Sequence, residues 1–353
     1  MALHAPHHRR AVRLLVTAAL TAALLGACAQ PQTTGQDRSD VTLRSWSRGP
    51  NAPAPRFEAQ GAALGDRLYL LGGFDRMPTT DYRPLATTRA DVLDPTSGTW
   101  SALPDLPVKL THAAVTTDPS RGWIVLAGGF VGDHPGPSTA DVLVYDTTTR
   151  TWSANVLPDL PAAVGGGALV RLDRQLHFFG GVPRANGEYG QDSSGHWTLD
   201  LDAPGEGWQA RAPLPNPRNH MAGVVVGGLI YAVGGQHRGN ETDGNQTSVD
   251  VYDPATDTWK GRADLPLPLS HTSDSTVVWE GRVLVVGGVT NGQKKVGGVL
   301  AYDPAANTWA SVSTLPESAV RQSPIADVVQ GRLVVTTGSD DAGPTATTWT
   351  AAP

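Results

Sequence analysis

One pairing of residues recurs along this chain and leaves few folds open to it. An aspartate is followed six residues later by a tryptophan at Asp94 and Trp100, Asp146 and Trp152, Asp202 and Trp208, Asp253 and Trp259, and Asp303 and Trp309. Glycine doublets keep step with it, at Gly72-Gly73, Gly128-Gly129, Gly180-Gly181, Gly234-Gly235 and Gly287-Gly288, with a degenerate copy at Thr337-Gly338. A period of about fifty residues means one supersecondary unit used repeatedly, each too small to bury its apolar face alone.

Each doublet ends an apolar run such as LIYAVGG (229–235) or RVLVVGG (282–288), and a turn and another apolar run precede it. The stretch MAGVVVGGLIYAVGG reads as a hairpin, with Gly227-Gly228 supplying the positive φ that two-residue hairpin turns favour. TSVDVYD and TWKGRAD form a second hairpin, turned by Pro254-Ala255-Thr256-Asp257. Four antiparallel strands per unit is the count of a propeller blade. Composition agrees, since 40 glycines, 28 prolines and only 17% charged residues suit short strands joined by many turns.

The doublet, the Tyr-Asp-Pro turn and the spaced tryptophan together resemble kelch repeats, over residues 40–353. The resemblance implies a β-propeller in which the doublet marks the second strand and the tryptophan packs between neighbouring blades. The ends of the chain set the blade count. After Thr337-Gly338 only one strand remains, TATTWTAA (345–352), while DVTLRSWSRGPNAPAPR (40–56) carries a strand and Trp46 ahead of the first unit. Joining the two completes a sixth blade and removes the open edges of an unclosed array. The expected fold is all-β, a six-bladed kelch-type β-propeller closed by an N-terminal strand that completes the last blade.

The first residues read as a processing signal. Arg9, Arg10 and Arg13 precede an apolar stretch, 14–27, that is shorter than the roughly 20 residues a membrane-spanning helix needs. It closes on Leu25-Gly26-Ala27-Cys28, which resembles the lipobox of bacterial lipoproteins, and Cys28 is the single cysteine of the chain. The expected organisation is a signal peptide at 1–27, a lipid-anchored flexible tether at 28–39 and the propeller at 40–353. Such a protein is lipidated at Cys28, held to a bacterial membrane through that lipid, extracytoplasmic in the cell envelope, and free of disulfides. A net charge of −6 and a pI near 5.9 exclude a general nucleic-acid binder, which needs a basic face against phosphates.

Sixteen residues before each doublet, or before Thr337, stand Arg56, His112, Val164, Arg218, His271 and Arg321. Antiparallel pairing brings the start of the innermost strand beside the doublet, so ring symmetry places this column around one channel mouth. There the arginines suit an anion or carboxylate. The alternative is that each arginine caps carbonyls or pairs with an acid such as Glu58 or Asp274. The loops after the doublets, 72–89, 180–197 and 234–250, are long and polar, as binding loops on rigid scaffolds are. His220, His237 and His271 approach one another in this reading, with Glu241 or Asp243 near them. Imidazoles and a carboxylate are metal-ligand types, but no tight spacing supports a site, and neither metal nor cofactor is expected.

The resemblance implies a binding module that presents one channel mouth to a protein, peptide or glycan, as a monomer. Some kelch propellers are copper-dependent galactose oxidases, but by resemblance that chemistry needs a cysteine crosslinked to tyrosine, and Cys28 belongs to the lipobox. The alternative function is a sugar-acid epimerase (mutarotase) similar to the bacterial N-acetylneuraminate epimerase, with Glu58 or Glu241 as base. No nucleophile elbow and no phosphate-cradling glycine loop appears, so binding is favoured over catalysis.

Overall fold

The apolar runs pair as hairpins, and the hairpins join four strands at a time. In the computed structural model, which describes Leu43 and residues 45–78, 83–238 and 244–352, all within the unit Val41–Pro353, six four-stranded antiparallel sheets form. Their innermost strands, numbered here as blades 1 to 6, are Gln60–Leu64, Ala114–Asp118, Ala168–Leu172, Ala222–Val226, Thr276–Trp279 and Ile325–Val329. Each innermost strand lies against that of the next blade, and the sixth lies against the first. The expected signal peptide at 1–27 and tether at 28–39, with Cys28, and also Glu241 and Asp243, lie outside the described residues.

Blade 4 shows how the sequence dictates the unit. Ala222–Val226 pairs with Leu229–Val233 through Gly227 and Gly228, whose φ values of 59° and 78° match a two-residue hairpin turn. Leu229–Val233 pairs with Val249–Asp253, which turns back into Thr258–Gly261. Blade 6 takes its outermost strand from the other end of the chain. Trp46–Arg48 pairs with Thr348–Ala351 in the register Trp46 to Ala351, Ser47 to Thr350 and Arg48 to Trp349. The six-bladed closure expected from the sequence is therefore the observed one.

The core is divided among the seams. Six apolar clusters each draw on two adjacent blades; one joins Tyr69, Leu71 and Val92 of blade 1 to Ile124, Leu126 and Tyr145 of blade 2. At about 1.5–3 kcal/mol per buried large side chain, these seams are what binds wedge to wedge. The periodic tryptophans sit on them. The indole N–H of Trp100 donates to the Pro50 carbonyl, Trp152 to Pro104, Trp208 to Pro158, Trp259 to Ala212 and Trp309 to Ala263, at 2.9–3.0 Å. Trp46 completes the circle by donating to Ser313 Oγ at 3.1 Å.

The doublets also join blades. The Gly73 N–H donates to the Leu110 carbonyl of the following unit at 2.9 Å, and Gly338 does the same to Arg56 at 2.6 Å across the closure. A Cβ on Gly72 would lie 2.5 Å from the Leu110 oxygen, and one on Gly73 would lie 2.5–2.8 Å from Ala59. With φ of 58° and 88°, both positions require glycine on two counts.

Candidate functional site

Just before each innermost strand the chain makes a short bridge to the residue after the doublet. Phe57 pairs with Phe74, Thr111 with Phe130, Gly165 with Val182, Asn219 with Gln236, Ser270 with Val289 and Gln322 with Ser339. The next residue then turns onto the axis in the left-handed region: Glu58, His112, Gly166, His220, His271 and Ser323, with φ between 47° and 65°. Backbone bonds run round this belt, from His112 N–H to the Glu58 carbonyl, Gly166 to His112 and His220 to Gly166. Five of its six members carry a side chain where glycine would be less strained by about 1 kcal/mol or more each. The sixth, Gly166, makes room, because a Cβ there would stand 3.1 Å from His220 Nδ1.

Three imidazoles and one carboxylate therefore meet on the axis. Each histidine has its Nδ1 tied to the residue before it: His112 to Thr111 Oγ1 at 2.9 Å, His271 to Ser270 Oγ at 2.7 Å, and His220 to Asn219 Oδ1. Their Nε2 atoms turn toward Glu58. His112 Nε2 lies 3.5 Å from Glu58 Oε2 and His271 Nε2 lies 3.6 Å from Oε1, beyond good hydrogen-bond length. His220 Nε2 is buried and, among the described residues, has no hydrogen-bond partner. The ring of His220 stands 5.0 Å from that of His112 and 4.6 Å from that of His271. Ser323 Oγ donates to Glu58 Oε1 at 2.6 Å.

Charge follows from the burial. Burial pushes the titration of all three histidines down, His220 furthest. For Glu58 burial acts the other way, but the imidazoles and the Ser323 hydroxyl outweigh it and hold the carboxyl at about 2. At neutral pH the cluster is one carboxylate among neutral imidazoles. The enclosed volume is about 10 Å³, room for about one water or one bare ion. The ligand atoms of Glu58, His220 and His271 all lie within 4.8 Å of one another, so among the described residues these three, beside His112, could hold a metal.

Below this cluster the inner strands enclose a channel of about 250 Å³. Asp274, on a two-residue insertion that forms the turn Ser273–Ser275, crosses into it and accepts the Gly61 N–H at 3.1 Å. Burial pushes its carboxyl up to about 7. Asp327 accepts the Ala63 N–H at 2.6 Å, so two carboxylates cap the free edge of blade 1 inside the channel.

The expected site residues separate into two groups. His112, His220 and His271 come together with Glu58. The arginines do not join them, since Arg56, Arg218 and Arg321 are 0%, 0% and 1% exposed inside their own blades. Arg56 pairs with Asp91 and donates to the Arg89 carbonyl. Arg218 pairs with Asp250 at 2.8 Å and donates to the carbonyls of Asn216, Ala232 and Gly234. Arg321 donates to the carbonyls of Ala319, Thr337 and Thr347. The acids they meet are Asp91 and Asp250, whereas Glu58 and Asp274 face the axis. Val164 is a core residue, and half-buried His237 bonds Asn216 Oδ1 at 2.8 Å, apart from the axial three. Sequence reasoning passed over Glu58 and Ser323 as members of one belt. Three dipeptides, Thr111-His112, Asn219-His220 and Ser270-His271, carried the signal, each a polar residue able to fix the imidazole after it.

Above the belt the loops stiffen into two-stranded ribbons. Phe74–Arg76 pairs with Leu85–Ala86, Arg184–Ala185 with Glu188–Tyr189, Val289–Thr290 with Lys294–Lys295, and Ser339–Asp340 with Gly343–Pro344, while in blade 2 the belt bridge of Thr111 to Phe130 extends to Leu110 and Val131. Between the ribbons of blades 5 and 6 lies a groove of about 660 Å³, walled by Lys295, Glu317, Val320 and Asp341 among others.

This geometry has relatives. A profile describing the KLHDC2/KLHL20/DRC7 Kelch-repeats domain matches residues 111–339, and one for the Kelch motif matches residues 55–107. Kelch-like protein terF of Aspergillus terreus is 28% identical over 250 residues, 69% of this chain and 52% of that protein. A kelch repeat-containing protein of Arabidopsis thaliana is 24% identical over 70% of this chain and 58% of its own length. Kelch-like protein 35 of Mus musculus is 27% identical over 69% of this chain and 37% of its own. The chain thus spans about half the length, or less, of these relatives. The repeat unit, the doublets, the seam tryptophans and a profile match over most of the propeller agree: the chain belongs to the kelch-repeat family.

Proposed function

We propose that this chain is a lipid-anchored, extracytoplasmic binding module that holds a protein or peptide partner on its ribbon-bearing end. The observation that carries this reading is the set of four ribbons among the described residues, which turn polar loops into a fixed rim on one end of the ring. Rigid loops lose less entropy on binding than free ones. The groove between the ribbons of blades 5 and 6 has the size of a short extended segment, and its walls offer both signs of charge. The cavity among the axial imidazoles does not fit a sugar acid. Its volume of about 10 Å³ is far below the roughly 300 Å³ of small-molecule pockets, which weighs against the epimerase alternative.

The test uses the full chain in its own cells, with a photo-crosslinking residue at position 341 on the rim or at position 228 on the opposite end. A discrete adduct is expected from position 341 and not from 228. Equal adducts from both, or none from either, would remove the rim from consideration. The same strain carrying Cys28→Ser should release the protein from the membrane fraction.

A further inference from the structure

We propose that Glu58, His220 and His271, with His112 beside them, form a binding site for a divalent first-row transition-metal ion of zinc type, clamping blades 1, 2, 4 and 5 on the propeller axis. Neutral imidazoles and one carboxylate are the donor set that zinc and its neighbours prefer, and that magnesium and calcium do not.

The geometry is close to what such an ion needs. Ligand atoms about 2.0–2.1 Å from a tetrahedral ion stand about 3.4 Å from one another. The His271 Nε2–Glu58 Oε1 separation of 3.6 Å already matches this spacing, and His112 Nε2 stands 3.5 Å from the other carboxylate oxygen, Oε2. The ligand atoms of Glu58, His220 and His271 all lie within 4.8 Å of one another. These contacts are too long for hydrogen bonds and too short for water between every pair, so the groups are arranged about a common centre rather than bonded to each other.

The supporting shell has the matching form. A histidine ligand to a metal commonly donates its second ring N–H to a fixed acceptor, which orients the ring and raises its basicity. Here Asn219 Oδ1 accepts from His220 Nδ1, which leaves the Nε2 lone pair of His220 buried and, among the described residues, unpartnered. Thr111 and Ser270 hold His112 and His271 in the same way. Ser323 and Gln322 orient the Glu58 carboxylate, at 2.6 and 3.3 Å. The left-handed backbone at Glu58, His112, His220 and His271 is a cost that glycine would avoid. A metal that gathers four blades supplies the reason.

The full chain, stripped with a chelator, is titrated with Co²⁺ as a spectroscopic substitute for Zn²⁺. One equivalent should bind with visible d–d bands of four- or five-coordinate intensity, be displaced by Zn²⁺, and raise the melting temperature. His220→Ala and His271→Ala should each weaken binding at least tenfold, while His134→Asn, in an exposed loop, should leave it unchanged. Should the alanine variants fail to fold, Glu58→Gln keeps the shape of the side chain and should still weaken binding at least tenfold and shift the bands. Folded wild-type chain without stoichiometric binding overturns the proposal. So does a spectrum that is the same in wild type and in folded variants at Glu58, His220 or His271, since the ion would then sit elsewhere.

Discussion

A guanidinium sealed from water stays charged only if its donors find acceptors. Arg218 does so with three carbonyls and Asp250, and by these bonds it pins the second and third strands of blade 4 at their loop end. Breaking a buried pair by removing one partner leaves the other charge uncompensated, which costs about 3–5 kcal/mol. Arg218→Ala is accordingly expected to lower stability by about 3 kcal/mol, seen as a reduced denaturant midpoint, while crosslinking from the rim persists in the folded fraction. Loss of rim binding at unchanged stability would instead put this arginine at the mouth. The reason the sequence did not separate arginines from histidines is a matter of register. From belt residue to doublet the spacing is fourteen for Glu58, Gly166, His220 and Ser323 but sixteen for His112 and His271. Blade 2 has a longer hairpin turn and blade 5 carries the extra turn at Ser273–Ser275. An insertion of two residues preserves side-chain alternation in a strand, so the polar pattern looks unbroken and one fixed offset samples two different places.

Among the elements, the strand Trp46–Arg48 has the largest consequence for its length. It contributes three ladder positions, an indole on the seam with blade 5, and Arg48 stacked 4.2 Å from the Trp349 ring. Without it the strand Thr348–Ala351 becomes an open edge, a template for pairing with other chains. Removing residues 41–48 should lower the melting temperature and produce concentration-dependent association on size-exclusion chromatography; Trp46→Ala alone should cost about 3 kcal/mol. A deletion that melts and elutes as wild type would show that the ring does not depend on this strand. Hairpins and closure were legible because two-residue turns, doublets and spaced tryptophans are local signals repeated many times. The ribbons were not, since their strands are two or three residues long and have no period to read.

For the molecule as a whole, acid should be the effective denaturant. His177 and His196 in blade 3 are held by burial at about 3 and about 4. In the unfolded chain they titrate near 6.5, so below that pH the unfolded state binds protons that the folded state refuses. Their contribution is complete above about pH 6.5 and is lost as pH falls toward 4. The axial histidines act in the same direction, and Asp274, raised to about 7, acts against them. Replacing the blade 3 pair by His177→Asn and His196→Gln should therefore shrink the loss of stability between pH 7 and pH 5 by about 4 kcal/mol, at about 1.4 kcal/mol per pKa unit. Denaturant curves at the two pH values measure it, and an unchanged difference would mean that these imidazoles are protonated in the folded protein.

The pairing of Ser47 with Thr350, 303 positions apart, has a consequence for how the protein is made. Five blades can assemble while synthesis is still under way, but the sixth waits for Thr348–Ala351 to emerge. Until then the earliest strand must be kept idle and unaggregated. A stalled or shortened product is a horseshoe, and cellular quality control would recognise it by the seam it cannot cover.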